Sequence, residues 1–354
     1  MDGQKWLILT IIQKFGGQRS INGVMYLLQG RRSSQVIQDA SLFYVLPLTA
    51  SLKHRSKEEL DKVRKELLKG NAYIVNNDGK VSLTPYGIEM LNEYNRRFSI
   101  PPHYNGGKYE LNDEAEWFWQ RLSLFIQSLS FRLKTKSPFI PIQYDTGVQD
   151  WVKKHFPPAS QREKMAHGLY CEIFHLLKEI RDREATLFVS RLTSWNRTGL
   201  TIDQLTKKND DPLLTSLSFR SVLHYMISQV GQDRGKYPYL RVFLKESKQT
   251  VLVTKTAQET YFWLTKGYTL EEISHKRKLK KSTIEDHIIE IVLFMPEVNA
   301  ERFVDRHILD YVLNVAEDLK TQKLKAIKDA LGNEYDYFTI RVALASREER
   351  VKKG

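Results

Sequence analysis

The sequence predicts a mainly α-helical protein with an N-terminal winged helix carrying a small β-hairpin, a helical middle segment and a C-terminal helix-turn-helix. Three observations carry that expectation. Apolar residues recur at helical spacing along most of the chain, and helix starts and stops are marked by Ser/Thr-x-x-Glu boxes and glycines. Only residues 72–83 read as a pair of strands around a turn.

In the first hundred residues, helical patterns at 6–14, 21–28 and 34–43 precede a capping box formed by Ser56 and Glu59. In such a box the hydroxyl and the carboxylate satisfy unpaired backbone donors reciprocally. The helix that follows places Leu60, Val63, Leu67 and Leu68 inward and stops at Gly70. Strands at 72–75 and 80–83 then flank Asn76, Asn77, Asp78 and Gly79, four turn-forming residues. Thr84 before Pro85 is a good N-cap followed by a residue suited to the first helical position. Helices, a hairpin and a further helix describe a winged helix over residues 1–98.

Pro101, Pro102, Gly106 and Gly107 lie in a polar stretch without apolar period, which predicts a linker at 99–114. Residues 115–250 read as a helical middle domain with helices at 116–133, 149–155, 161–193, 201–208 and 218–230. Gly199 to Leu205 match Gly267 to Ile273 type for type, so a degenerate second helix-turn-helix is expected near 199–230. Trp117, Phe118, Trp119, Phe125 and Phe131 are expected to pack a helical core. His167, Cys171 and His175, stacked over two turns of one helix, are expected to be packing residues, because three ligands spread along an axis do not enclose one metal.

The C-terminal helix-turn-helix domain spans 251–345. Its first helix carries Ala257, Tyr261 and Leu264 on one face and stops at Gly267. Thr269 and Glu272 box the start of the second, which runs from Leu270 to about Lys278 with Ile273 inward. Ser282 and Glu285 form a second box, opening a third helix with an apolar stripe of Ile284, Ile288, Ile291, Val292 and Met295. A third helix held this way is expected to offer its outer face to DNA. That face carries Thr283, Asp286 and Glu290, and carboxylates repel phosphate, so charge reversal at Asp286 and Glu290 is expected to strengthen DNA binding. One more helix is expected at 307–331, and a frayed charged tail at 346–354.

Charge points to a polyanionic partner. The chain of 354 residues carries a formal charge of +13, with 15 basic against 9 acidic residues in 1–100, 22 against 16 in 101–250 and 18 against 17 thereafter. Each phosphate that such cations neutralise releases counterions. The candidate DNA-binding residues fall in three clusters. Lys276, Arg277, Lys278, Lys280, Lys281, Ser282 and Thr283 lie at and after the turn between the second and third helices. Arg31, Arg32 and Ser33 stand with Ser34 where one helix ends and the next begins, a position suited to phosphate. Lys53 and Arg55 precede the box at Ser56, and Lys80 lies on the wing. The bland alternative for each cluster is a solvated surface.

Other chemistry is weakly represented. The chain lacks Gly-x-x-x-x-Gly-Lys-Ser/Thr, His-Glu-x-x-His and Gly-x-Ser-x-Gly, so no catalytic role is expected, nor a cofactor, a metal or a small-molecule ligand. A single cysteine, Cys171, rules out an internal disulfide framework. No run approaches 18 uncharged apolar residues, and a cytoplasmic, nucleoid-associated protein without membrane contact is expected.

Two stretches resemble known modules. Gly267 to Ile273 and Lys281 to His287 resemble the helix-turn-helix domain at the extreme C-terminus of many bacterial RecQ-type DNA helicases. Arg31 to Ser34, Gln38, Asp39 and Leu83 to Gly87 are similar to winged-helix modules of the RecQ C-terminal type. The resemblance covers about 140 residues and excludes the ATPase lobes, so no helicase activity carries over. It implies a detached accessory that supplies duplex, fork or junction binding to a RecQ-like helicase in DNA repair or recombination. The competing expectation is a helix-turn-helix transcription regulator.

Overall fold

The computed structural model describes residues 2–135, 137–206, 210–233, 235–245, 253–295, 297–319 and 323–353. It is mainly α-helical, as expected, and among the described residues the only sheet is a two-stranded antiparallel hairpin.

The N-terminal elements come in the expected order: α1 (Asp2–Phe15), α2 (Ile21–Leu28), α3 (Ser34–Leu42), α4 (Lys57–Lys69), β1 (Tyr73–Val75), β2 (Val81–Leu83) and α5 (Pro85–Arg97). The Ser56 hydroxyl accepts from the Glu59 amide (3.2 Å), fixing the start of α4. Leu60, Val63 and Leu67 are buried, whereas Leu68, expected inward, is exposed because the buried arc of α4 is narrow. The left-handed residue that ends the helix is Asn71 (φ 53°), not Gly70. In the hairpin Tyr73 pairs with Leu83, Ile74 with Ser82 and Val75 with Val81. The Thr84 hydroxyl caps α5 by accepting from the Gly87 amide (3.0 Å). A Cβ at Gly87 would fall 1.8 Å from the Ala72 carbonyl oxygen, so only glycine lets α5 pack this closely on the strand.

The middle of the chain forms α6 (Tyr109–Lys134), α7 (Thr146–His155), α8 (Arg162–Leu177), α9 (Asp182–Ser190), α10 (Ile202–Leu205) and α11 (Pro212–Gln232). The helix expected over 161–193 is broken into α8 and α9, with no proline or glycine at the break to announce it. The helix expected over 201–208 is the short α10; residues 207 and 208 lie outside the described residues. Helix α11 starts earlier than expected because the Asp211 carboxylate accepts from the amides of Leu213 (2.9 Å) and Leu214 (3.3 Å). The Thr201 and Gln204 capping box forms, yet α11 buries Leu217, Phe219, Val222, Met226 and Val230 as the central helix of its unit. The helix order of the degenerate helix-turn-helix expected here is present as α10 and α11, with α11 mostly buried. Phe118 and Phe125 are buried, and Trp119 meets Phe219 edge-on at 4.8 Å, as expected of a core. His167 and Cys171 are not packing residues: both are exposed, with Sγ 3.5 Å from Nε2. Among the described residues no cluster of three His, Cys, Asp or Glu could hold a metal.

The C-terminal elements are α12 (Lys255–Thr265), α13 (Leu270–Arg277), α14 (Lys281–Phe294), α15 (Arg306–Asp318), α16 (Leu324–Ala330) and α17 (Tyr337–Lys353). The single helix expected at 307–331 is therefore two. Of the tail expected to fray, residues 346–353 continue α17, where the Arg347 guanidinium meets Glu317 at 3.1 Å, and residue 354 lies outside the described residues.

Contacts divide the chain into one unit of residues 7–90 and 249–354 and another of 1–6 and 91–248. The division at 248/249 lies beside the boundary expected at 250, whereas none falls at 98 or 114. Residues 99–114 are no free linker, since Tyr104 and Tyr109 are buried and stacking joins Tyr104 to His224 of α11. The amides of His103 and Asn105 donate to the Ser221 hydroxyl (3.1 Å) and His224 Nδ1 (3.2 Å). Proline and glycine there mark changes of chain direction, not exposure. No helix among the described residues is long and apolar enough to cross a membrane.

Candidate nucleic-acid interface

The helix-turn-helix is built largely as its sequence dictates. Thr269 and Glu272 form the reciprocal box at the start of α13, and Gly267 (φ 86°) turns the chain out of α12. Ile273, Ile284, Ile288, Ile291, Val292 and Met295 form the shared core. The second box does not form. Lys278 adopts a left-handed conformation (φ 52°), and this tight turn starts α14 at Lys281 with Lys280 as its N-cap. Ser282 thus falls inside the first helical turn, where its hydroxyl cannot cap.

The larger correction concerns the outer face of α14. Glu290 is 0% exposed. Its carboxylate accepts from the Thr254 amide, the Thr254 hydroxyl (3.2 Å) and the Ser34 hydroxyl (2.8 Å) in the first turn of α3. Burial pushes its pKa above the ordinary carboxylate value, against the lowering effect of those hydrogen bonds. Asp286 pairs with Arg341 of α17 (2.5 Å), and its carbonyl accepts from the Gln38 side chain (2.9 Å). Arg341 also donates to Gln38 Oε1. Helix α14 is therefore enclosed by α12, α13, α17 and α3. Its fully exposed residues, Lys281 and Ser282, lie in the first turn, and Thr283, Glu285, Asp286, Leu293 and Phe294 are half-buried. The expected base-reading face is internal, and its carboxylates serve α3 and α17.

The basic cluster divides accordingly. Arg277 turns inward with its side chain 9% exposed, donating to the Thr256 carbonyl (2.7 Å), the Thr260 hydroxyl and Glu259 (2.6 Å). It ties α13 to α12 beside His287, whose pKa is pushed down to about 4 by burial and by Arg277. Lys276 lies over the rings of Trp263 (4.6 Å) and Tyr268 (4.5 Å). Lys281 meets Glu271 at 3.4 Å, an exposed pair worth little in water. Lys278 and Lys280 are exposed at the turn.

In the N-terminal half, Arg31 and Arg32 are exposed, and Arg31 sits 4.4 Å over the Tyr26 ring. Ser33 is the N-cap of α3 without a side-chain cap bond. The expected phosphate position is altered by the bond from Ser34 to Glu290, which brings a protein carboxylate to the positive end of α3. Lys53 is exposed, Arg55 pairs with Glu59 at 3.5 Å, and Lys80 is exposed on the wing.

Sequence reasoning missed the outward face of α4. Lys62, Lys65 and Lys69 are all exposed there, at i, i+3 and i+7, opposite Leu60, Val63 and Leu67. The exposed Glu58 shares this face at its N-terminal end. The helical period already contained the signal, since the apolar stripe that fixes the inner face also fixes the lysines on the outer one. In the order of a winged helix, α4 precedes the wing. It is thus the helix whose exposed face is available to a groove.

Comparison with known proteins agrees with this layout at the C-terminal end. Residues 256–344 match a family described as a helix-turn-helix domain, which suggests DNA binding. No solved structure matches the chain. Over 347 residues, 97% of either chain, it is similar at 29% identity to Protein YpbB of Bacillus subtilis (strain 168).

Proposed function

We propose that this chain is a non-catalytic DNA-binding protein that acts as an accessory to a RecQ-like helicase in repair or recombination. The observation that carries the DNA-binding part is the exposure of Lys62, Lys65 and Lys69 on α4, with Lys80 on the following wing. Lysines spaced along one helix face suit phosphate contacts, which hold a duplex without reading its sequence. Lys278, Lys280 and Lys281 in the matched helix-turn-helix domain supply further exposed cations. The burial of Glu290 and the pairing of Asp286 with Arg341 support the accessory reading over the regulator, because a palindrome-reading regulator needs that face in the major groove.

The helicase part rests on the resemblance of both modules to parts of RecQ-type enzymes and on the missing ATPase motif. A motorless chain that grips a fork gives its partner a hold on the substrate. The test is binding to duplex, fork, junction and single-stranded DNA at two salt concentrations, with unwinding of the same fork by a co-purified RecQ-like helicase. Fork or junction binding with little sequence preference and faster unwinding is the expected result. One strongly preferred palindrome, or an unwinding rate indifferent to the protein, would remove the accessory reading.

A further inference from the structure

Within the unit of residues 1–6 and 91–248, a groove of about 420 Å³ runs between the C-terminal half of α6, the length of α8 and the end of α9. Its walls are almost entirely apolar, with Ile126, Leu129 and Leu133 on α6 facing Leu169, Ile173 and Leu177 on α8. Three large side chains on its rim stand in solvent: Tyr170 is 64% exposed, Phe174 58% and Trp195 49%. Tyr170 and Phe174 stack on each other, 5.9 Å between centroids. Contiguous exposed aromatic and aliphatic surface of this kind marks interaction sites.

We propose that this groove docks one amphipathic helix of another protein, its apolar stripe seated between α6 and α8 and a carboxylate at one end paired with Lys134. The wall from Ala166 to Leu177 is about 16 Å long at the helical rise, the length of roughly three turns of a docked helix. Lys134 is the only charged residue among the described residues lining the groove, and it stands at the C-terminal end of α6. That composition suits a mostly apolar helix bearing an acidic residue at one end. It does not suit nucleic acid, because a strand stacked on Tyr170 and Trp195 needs a row of cations for its phosphates. The proposal involves none of the DNA-facing residues, so it stands or falls apart from the proposed function.

The experiment selects a phage-displayed library of helix-forming peptides on the full chain, counter-selected on the Phe174→Asp variant. Because Phe174 is exposed, that variant should keep its circular dichroism and its DNA binding. The expected binders carry apolar residues at i, i+3 or i+4 and i+7 with Asp or Glu at one end. Their affinity should fall at least about tenfold on Phe174→Asp, the loss typical of an aromatic anchor. Lys134→Glu, which leaves the apolar walls intact, should switch the selected end residue to Lys or Arg and carries the test if Phe174→Asp misfolds. Three results would each overturn the proposal. They are failure to enrich any peptide whose binding depends on Phe174 or Lys134, oligothymidylate binding abolished by Phe174→Asp, and a dimer in sedimentation that the same variant makes monomeric.

Discussion

Helices α14 and α4 contrast: from sequence the first is expected to face DNA and the second carries no such expectation, and they meet opposite fates. Helix α14 is mostly buried beyond its first turn, and its carboxylates bind Ser34, Thr254 and Arg341. Helix α4 buries one stripe and leaves three lysines in water. Position within a motif therefore does not assign the DNA-facing surface. The charge of the face opposite the apolar stripe is the better guide: Asp286 and Glu290 found internal donors, whereas Lys62, Lys65 and Lys69 stayed exposed.

The sharpest way to break this comparison is Glu290→Lys. A cation would then face the donors of Ser34 and Thr254, at a cost of about 3–5 kcal/mol in urea unfolding. This replaces the expectation from sequence that charge reversal at Asp286 and Glu290 strengthens DNA binding and weakens association with the helicase. A stable Glu290→Lys protein with tighter DNA binding would return α14 to the surface. Asp286, partly exposed beside Arg341, should cost less on reversal.

Acid is expected to act next. His287 is held at about 4 and His224, buried in α11, at about 3, both below the ordinary 6.5. The unfolded chain therefore binds protons first, so the stability these neutral rings provide is complete above pH 6.5 and is lost as pH falls toward those values. The raised pKa of Glu290 acts in the opposite direction, lowering stability as pH rises from 4.5 to its folded value. His287→Gln should remove part of the acid loss from the unit containing α14 and leave the His224 part intact, read as two transitions in hydrogen exchange. Identical acid profiles with and without His287 would contradict this.

Arginine and lysine from the same basic run separate the two roles more finely. Arg277→Ala should cost about 1–3 kcal/mol through the lost bonds to Glu259 and the Thr256 carbonyl, with little change in the salt dependence of DNA binding. Lys280→Ala should keep stability within about 0.5 kcal/mol, while each lost phosphate contact flattens the plot of log affinity against log salt by about 0.9. The reverse pattern would mean the burial of Arg277 is misleading. Smallest of all, replacing Arg31 and Arg32 by Ala should flatten the slope modestly without unfolding. An unchanged slope would assign both to the solvated surface.

Much of this layout was legible in the sequence, because local chemistry wrote it. Thr269 with Glu272, Ser56 with Glu59 and Thr84 before Pro85 each satisfy backbone donors within a few residues, so their helix starts stand where expected. What failed depended on distant partners. Nothing near Glu290 in the chain announces Ser34, and nothing near Pro101 announces Ser221. The box at Ser282 failed for a local reason hidden in one residue, since a left-handed Lys278 cannot be told from a helical one by type. The lysines of α4 were legible, because the helical period that turns Leu60, Val63 and Leu67 inward turns Lys62, Lys65 and Lys69 outward.

The most direct test of the central claim is the salt dependence of forked-duplex binding by the Lys62→Ala, Lys65→Ala, Lys69→Ala triple variant, with its unfolding free energy measured in parallel. If α4 holds phosphate through these side chains, stability stays within about 1 kcal/mol of the parent and the slope flattens by about 2.7, the sum of three contacts. An unchanged slope in a stably folded triple variant would contradict the account and leave α4 as a solvated surface helix.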